Sequence, residues 1–306
     1  MPALSEKQLR IRQLAEEKDV VIFAHNYQLP EVQQVADVVG DSLVLARKGV
    51  ETPQKTILFC GVWFMAESAA ILSPDKTVLT PEPESICPMA RMVDAHIVRS
   101  MREQHPGVPV VAYVNTTADV KAEVDVCCTS ANAVDVIKSL DVDEVIMVPD
   151  CNLAQYVQRF FPEKKIIIPE GYCPTHRSGI TVEAISELKK EHPDAEVMVH
   201  PECVPEVIDM AEGAYSTEGM IRRARESPAR EFIVGTEKEH AYRLATLMPD
   251  KIFHAIPTAV CPNMKKINLD KILNSLEKNV HEVKVREDIR QRAVQSLERM
   301  ISIGGK

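Results

Sequence analysis

The sequence predicts an α/β protein built from three similar α/β/α units, each with a small parallel sheet, related by pseudo-threefold symmetry around a central site. Three observations carry that expectation. Segments beginning at Ile57, Val145 and Phe232 share one order of strand, helix, short strand and loop, and each ends in a Cys-Pro step after 30, 28 and 29 positions. Those steps, Cys87-Pro88, Cys173-Pro174 and Cys261-Pro262, lie 86 and 88 residues apart, and no other cysteine precedes a proline. Self-similarity at a fixed period signals a repeated structural unit. Finally, 306 residues are too many for one ordinary core and suit two or three compact bodies, which the repeat resolves as three.

The elements follow in order. Residues 6–18 place Leu9, Ile11 and Leu14 at helical spacing among charges, so they form a helix lying on another layer. Val20–Ala24 is a continuous apolar run, as a buried parallel strand requires, and it ends in His25-Asn26-Tyr27. A helix is expected over Glu31–Val39, followed by Gly40-Asp41 and by Ser42 as the cap of the next helix. The second unit repeats the pattern with a strand at Val108–Val114 ending in Asn115, a short strand over 125–128, then Ser130 opening a helix over Ala131–Leu140. The third has Glu196–Val199 ending in His200-Pro201-Glu202, a short strand over 213–215, then Ser216-Thr217 before a helix over Glu218–Arg225. Alternating strands and helices of this length mean βα units and parallel sheets. Helices over Asn268–Leu276 and Val285–Met300 close the chain. Charged helices running into Pro-containing turns near 95–107 and 187–195 mark the seams. The units are therefore expected at 1–106, joined by the C-terminal helices of 268–306, at 107–194 and at 195–267.

Lys and Arg number 36 against 45 Asp and Glu, a net charge of −9, which argues against a nucleic-acid surface. No apolar run approaches a membrane span, and the charged N-terminal helix is unlike a secretory signal, so the expectation is a cytoplasmic protein with no membrane partner. Eight cysteines are too few for a disulfide framework at this size and point to metal or catalysis. Cys60 and Cys127 sit in apolar strand-like runs and read as core residues, as do Cys151 and Cys203.

Ligands of parallel sheets collect beyond the carboxyl ends of the strands. Applied to the repeat, that rule gathers His25, Tyr27, Asn115, His200 and Glu202 from the first strands. It adds Ser42, Ser130, Ser216 and Thr217 from helix starts, and Cys87, Cys173 and Cys261 from the last loops. Hydroxyls at three helix starts suit a small polyanion. Three soft ligands without a matching fourth suit a metal with an open position. His176, three residues after Cys173, is a candidate fourth ligand, which leaves open a zinc hydrolase or lyase with three cysteine ligands and one histidine. Tyr113 faces the same way as Asn115, and Glu202 is a candidate base.

The motifs Ala24-His-Asn-Tyr-Gln28, Gly40-Asp-Ser42, Phe64-Met-Ala-Glu67, Cys87-Pro-Met-Ala90, Tyr113-Val-Asn115, Cys128-Thr-Ser-Ala-Asn132, Gly171-Tyr-Cys-Pro-Thr-His176, His200-Pro-Glu-Cys203, Ser216-Thr-Glu-Gly-Met220 and Cys261-Pro-Asn-Met-Lys265 resemble, in order, those of the quinolinate synthase family. The resemblance covers about Asp19 to Asn268. It implies a [4Fe-4S] cluster on Cys87, Cys173 and Cys261 with one iron free for substrate. The implied reaction condenses iminoaspartate with dihydroxyacetone phosphate to quinolinate, releasing phosphate and two waters. A functional link to an L-aspartate oxidase or dehydrogenase would follow. The resemblance further implies that His25, Ser42, Ser130, His200, Ser216 and Thr217 hold carboxylates and phosphate. Tyr27, Tyr113, Asn115, His176 and Glu202 would surround the open iron, with Glu202 moving protons. Tyr215 and Glu218 depart from the family pattern, which has a glycine and a small hydroxyl residue there.

Overall fold

The computed structural model describes residues 3–168 and 170–304. The first unit runs α1 (Glu6–Glu17), β1 (Val20–His25), α2 (Pro30–Val35), β2 (Val38–Gly40), α3 (Ser42–Glu51), β3 (Thr56–Cys60), α4 (Trp63–Leu72) and β4 (Thr77–Leu79). The second runs α5 (Ala95–Gln104), β5 (Val110–Tyr113), α6 (Ala118–Lys121), β6 (Val126–Cys128), α7 (Ala133–Lys138), β7 (Glu144–Val148), α8 (Cys151–Gln158) and β8 (Lys165–Ile167), followed by α9 (Pro174–Gly179). The third runs α10 (Val182–Glu191), β9 (Glu196–Val199), α11 (Pro205–Ile208), β10 (Gly213–Ala214), α12 (Thr217–Glu226), β11 (Glu231–Gly235), α13 (Glu239–Leu247) and β12 (Ile252–Ala255). Helices α14 (Leu269–Lys278) and α15 (Glu287–Ser302) end the chain.

Each unit forms one four-stranded parallel sheet of the same order, β2-β1-β3-β4, β6-β5-β7-β8 and β10-β9-β11-β12. Every residue of β1, β5 and β9 is buried, because helices cover both faces of a parallel sheet. The three-unit α/β architecture expected from the repeat is the one observed.

Two expected helices are shorter than the sequence suggested. The helix over Glu31–Val39 stops at Val35, and Val38–Gly40 is an edge strand paired with Phe23–His25. β-Branched Val38 and Val39 fit a pleated ladder better than a helix end, and the Asp37 carboxylate anchors the turn by accepting the Ile22 N–H at 2.8 Å. In the second unit the helix over Ala131–Leu140 narrows to Ala133–Lys138. There Asn132 bonds outward, its Nδ2 donating to the Met300 and Ile303 carbonyls at 2.9 Å each. Helix α15 thus packs on α6 and β6 of the second unit and on α4 of the first, while α14 packs on α1. Helices α5 and α10 pack forward, α5 on α6 and α10 on β11 and α11.

Candidate active site

Matching the middle strands β3, β7 and β11 puts Cys60, Val148 and Gly235 at equivalent ends, and the ladders then fix every other equivalence. His25, Tyr113 and His200 occupy one position, and Tyr27, Asn115 and Glu202 the position two residues on. Ser42, Ser130 and Thr217 share a third. All nine line a single cavity, together with Cys87, Cys173, Cys261 and His176. Counted with the open space at its mouth it encloses about 650 Å³.

The register corrects the reading of the helix starts. Asp41, not Ser42, caps α3, accepting the Val44 N–H at 2.9 Å, which leaves the Ser42 hydroxyl facing the cavity. Burial, opposed by that N–H, lifts the Asp41 carboxyl to about 6. Ser216 is the counterpart of Asp41: it caps α12, accepting the Gly219 N–H at 3.1 Å, and is absent from the residues lining the cavity. Adjacent hydroxyls at 216 and 217 hid that one-residue offset. Tyr215 does not line the cavity either; it lies over Gly213, where a Cβ would meet its ring, in an outer groove with Tyr156. Glu218 accepts from Asn26 Nδ2 at 3.2 Å, and Thr217 Oγ1 accepts from the same nitrogen at 2.9 Å.

Proline after each cysteine has a local reason. Pro174 is the first residue of α9, and Pro88 and Pro262 lead into 3-10 turns at Met89–Arg91 and Met264–Lys266. Proline presets the helical φ and carries no N–H of its own. The amides of the next turn, those of Ala90, His176 and Met264, each three residues on, favour the thiolate forms of Cys87, Cys173 and Cys261 and partly oppose the effect of burial. These three cysteines are half-buried on the cavity, whereas the other five are buried. Burial pushes the Cys87 thiol up to about 12 and raises Cys173 and Cys261, the thiols also opposing one another's ionisation. A bound cation reverses that balance, since thiolates are the metal-binding form.

Hydrogen bonds assign the protons. Backbone N–H groups can only donate, so His25 Nδ1 accepts from Tyr27 at 3.2 Å and His200 Nδ1 accepts from Glu202 at 3.3 Å. Burial lowers both imidazoles to about 3, keeping them neutral. Each then presents an Nε2–H, that of His200 donating to Ser130 Oγ at 3.0 Å. Burial alone would raise Glu202, but His176, His200 and the hydrogen bonds from His176 and Tyr113 outweigh it, so its carboxyl lies below the ordinary range. Tyr113 Oη donates to Glu202 Oε1. His176 Nδ1 sits 2.8 Å from Glu202 Oε2 and 3.2 Å from Cys173 Sγ. With its proton on Nδ1, its Nε2 accepts from Thr236 Oγ1 at 2.9 Å, and Thr236 in turn accepts from Tyr27 Oη at 2.6 Å. A continuous chain results: Tyr27, Thr236, His176, Glu202, Tyr113. Burial raises both tyrosines well above their usual range, so they remain phenols.

Sequence reasoning assigned no role to Thr236, Asp150, Glu237 or Lys265. The Cys173 N–H donates to Asp150 Oδ2 at 3.1 Å and the Cys261 N–H to Glu237 Oε1 at 3.3 Å. Lys265 Nζ pairs with Glu237 at 2.9 Å and donates to the Tyr27 carbonyl at 2.6 Å. The signal available was positional, since Asp150 and Glu237 both lie two residues past the end of their middle strand.

A family model, "Quinolinate synthetase A protein", matches residues 9–302. The chain belongs to that family. Within it, the chain is 52% identical over 295 residues to quinolinate synthase 1 of Methanosarcina acetivorans, covering 96% of each. It is 50% identical over 291 residues to the quinolinate synthase of Thermodesulfovibrio yellowstonii, covering 95% of this chain and 96% of the relative. It is 51% identical over 295 residues to that of Dehalococcoides mccartyi, covering 96% and 97%. This quinolinate synthase family member has no helix, among its described residues, long and apolar enough to cross a membrane.

Proposed function

We propose that the protein condenses iminoaspartate with dihydroxyacetone phosphate to quinolinate, releasing phosphate and two waters, with a [4Fe-4S] cluster on Cys87, Cys173 and Cys261. The observation that carries this reading is three half-buried thiols, each at the start of a Pro-led turn, on one cavity also lined by hydroxyls and neutral imidazoles. The donor set fits the cluster, because it offers three soft ligands and no fourth cysteine lining the cavity among the described residues. Bound there, the cluster would supply a Lewis-acidic iron open to substrate. Ser42, Ser130 and Thr217, with the Nε2–H groups of His25 and His200, are the donors for carboxylates and phosphate. Glu202, held ionised, is the base that accepts substrate protons. Tyr113 and His176 orient its two oxygens, and Thr236 connects that pair to the Tyr27 phenol. An iminoaspartate source such as an L-aspartate oxidase or dehydrogenase would feed the site, in the reducing cytoplasm where the thiols stay free.

The His176 ring bears on the zinc alternative. Cys173, His176 and Glu202 lie close enough to share one ion, but both ring nitrogens of His176 are already engaged, by Glu202 and Thr236. Anaerobic purification with iron, sulfide and zinc analysis tests the reading. About four irons and four sulfides per chain are expected, lost with all quinolinate formation in Cys87→Ala, Cys173→Ala or Cys261→Ala and retained in Cys60→Ala. One zinc without sulfide would overturn it.

A further inference from the structure

A second group of metal-ligating side chains stands at the opposite end of the third sheet. Glu231 opens β11, four residues before Gly235 at the cavity end, so roughly 13 Å of strand separates the two. In the parallel register Glu231 pairs with Ile252 and Ile233 with His254, which puts Glu231 and His254 on one face as diagonal neighbours. That face is covered by α10, which packs on β11 and ends in His192 as its C-cap. Three elements thus deliver His192, Glu231 and His254 to one spot.

The distances are those of a coordination shell. Glu231 Oε2 lies 3.1 Å from His254 Nε2 and 3.4 Å from His192 Nδ1. Tetrahedral zinc at about 2.0–2.1 Å from each ligand sets ligand atoms about 3.3 Å apart. The imidazoles stack with centroids 3.5 Å apart and planes 18° from parallel, so a shared cation requires them to splay slightly. All three residues are half-buried, leaving a side for water. Two imidazoles and one carboxylate form a borderline N/O donor set, which selects zinc or a neighbouring late first-row cation over magnesium or calcium.

We propose that His192, Glu231 and His254 bind a divalent zinc-type cation, which clips the end of α10 to β11 and β12. The site is independent of the cysteines and of the reaction at the cavity.

The test uses the untagged full chain with its cavity thiols occupied by the reconstituted iron-sulfur cluster, labelled with ¹³C-histidine and titrated with zinc chloride near neutral pH. The Cε1–H resonances of His192 and His254 are assigned from His192→Ala and His254→Ala, and the remaining histidine signals show that the variants keep the fold. Both resonances are expected to move together and saturate with one zinc. In Glu231→Gln the affinity falls at least tenfold. At zinc a hundredfold above Kd, Tm rises by about 3 °C or more, and this rise is absent in His254→Ala. Movement of one ring alone, no movement at millimolar zinc, or unchanged affinity in Glu231→Gln would each reduce the cluster to hydrogen bonding and overturn the proposal.

Discussion

The cysteine loops of the second and third units differ from that of the first. Asp150 and Glu237 occupy equivalent positions and receive the Cys173 and Cys261 N–H groups. The first unit has Val62 there, and it lines the cavity beside Phe64 and Met65. One repeated backbone thus makes a cavity with two unlike sides: an apolar wall from the start of α4, and a hydrogen-bonded wall carrying Glu202, His176 and Thr236. An apolar wall lowers the local dielectric, and a lower dielectric strengthens each polar contact opposite. Under the proposed function, proton transfer is assigned to the seam between the second and third units, where Glu202, His176 and Tyr113 meet.

Breaking the polar wall at its centre should have the largest effect. Glu202→Gln is expected to lower kcat by about 10²–10⁴-fold while iron content stays at the wild-type level. A loss of iron instead would make Glu202 a structural support. Acid tests the neutral imidazoles on both sides. His25 and His200 titrate near 3 when folded, against about 6.5 unfolded. The unfolded chain therefore binds more protons between those values, and stability must fall as pH drops below about 6.5. Tm measured from pH 7 to pH 4 should decline, less steeply in His25→Gln. Next comes the bridge: Thr236→Val should cost about tenfold in kcat, with Thr236→Ser restoring it, because only the hydroxyl links Tyr27 to His176. The smallest effects distinguish cavity from cap. Ser42→Ala should raise KM a few-fold at unchanged stability, whereas Ser216→Ala should cost about 1 kcal/mol of stability and leave KM alone.

Much of the fold was legible because a period near 87 residues repeats strong local signals, namely apolar strands and Cys-Pro turns. The cavity residues at the ends of β1, β5 and β9 were legible for the same reason, as polar side chains directly after buried runs. Edge strand Val38–Gly40 was not, unlike its short counterparts over 125–128 and 213–215, because it follows α2 after only two residues and reads as the end of one helix over Glu31–Val39. Thr236, Asp150 and Glu237 escaped because each is one polar residue after a strand, ordinary until the three ladders are aligned. The grouping of His192, Glu231 and His254 has no linear spacing at all; register and the packing of α10 create it.

The bonds across the seams have a consequence for biogenesis. Asn26 reaches Thr217, Tyr27 reaches Thr236 and Tyr113 reaches Glu202, so no unit holds a finished half of the site. During synthesis the first thiol emerges long before Cys261, yet its partners exist only once the third unit has docked. A truncated or stalled chain therefore displays scattered thiols and no reactive centre, and assembly of the three units acts as the checkpoint at which the protein becomes chemically competent.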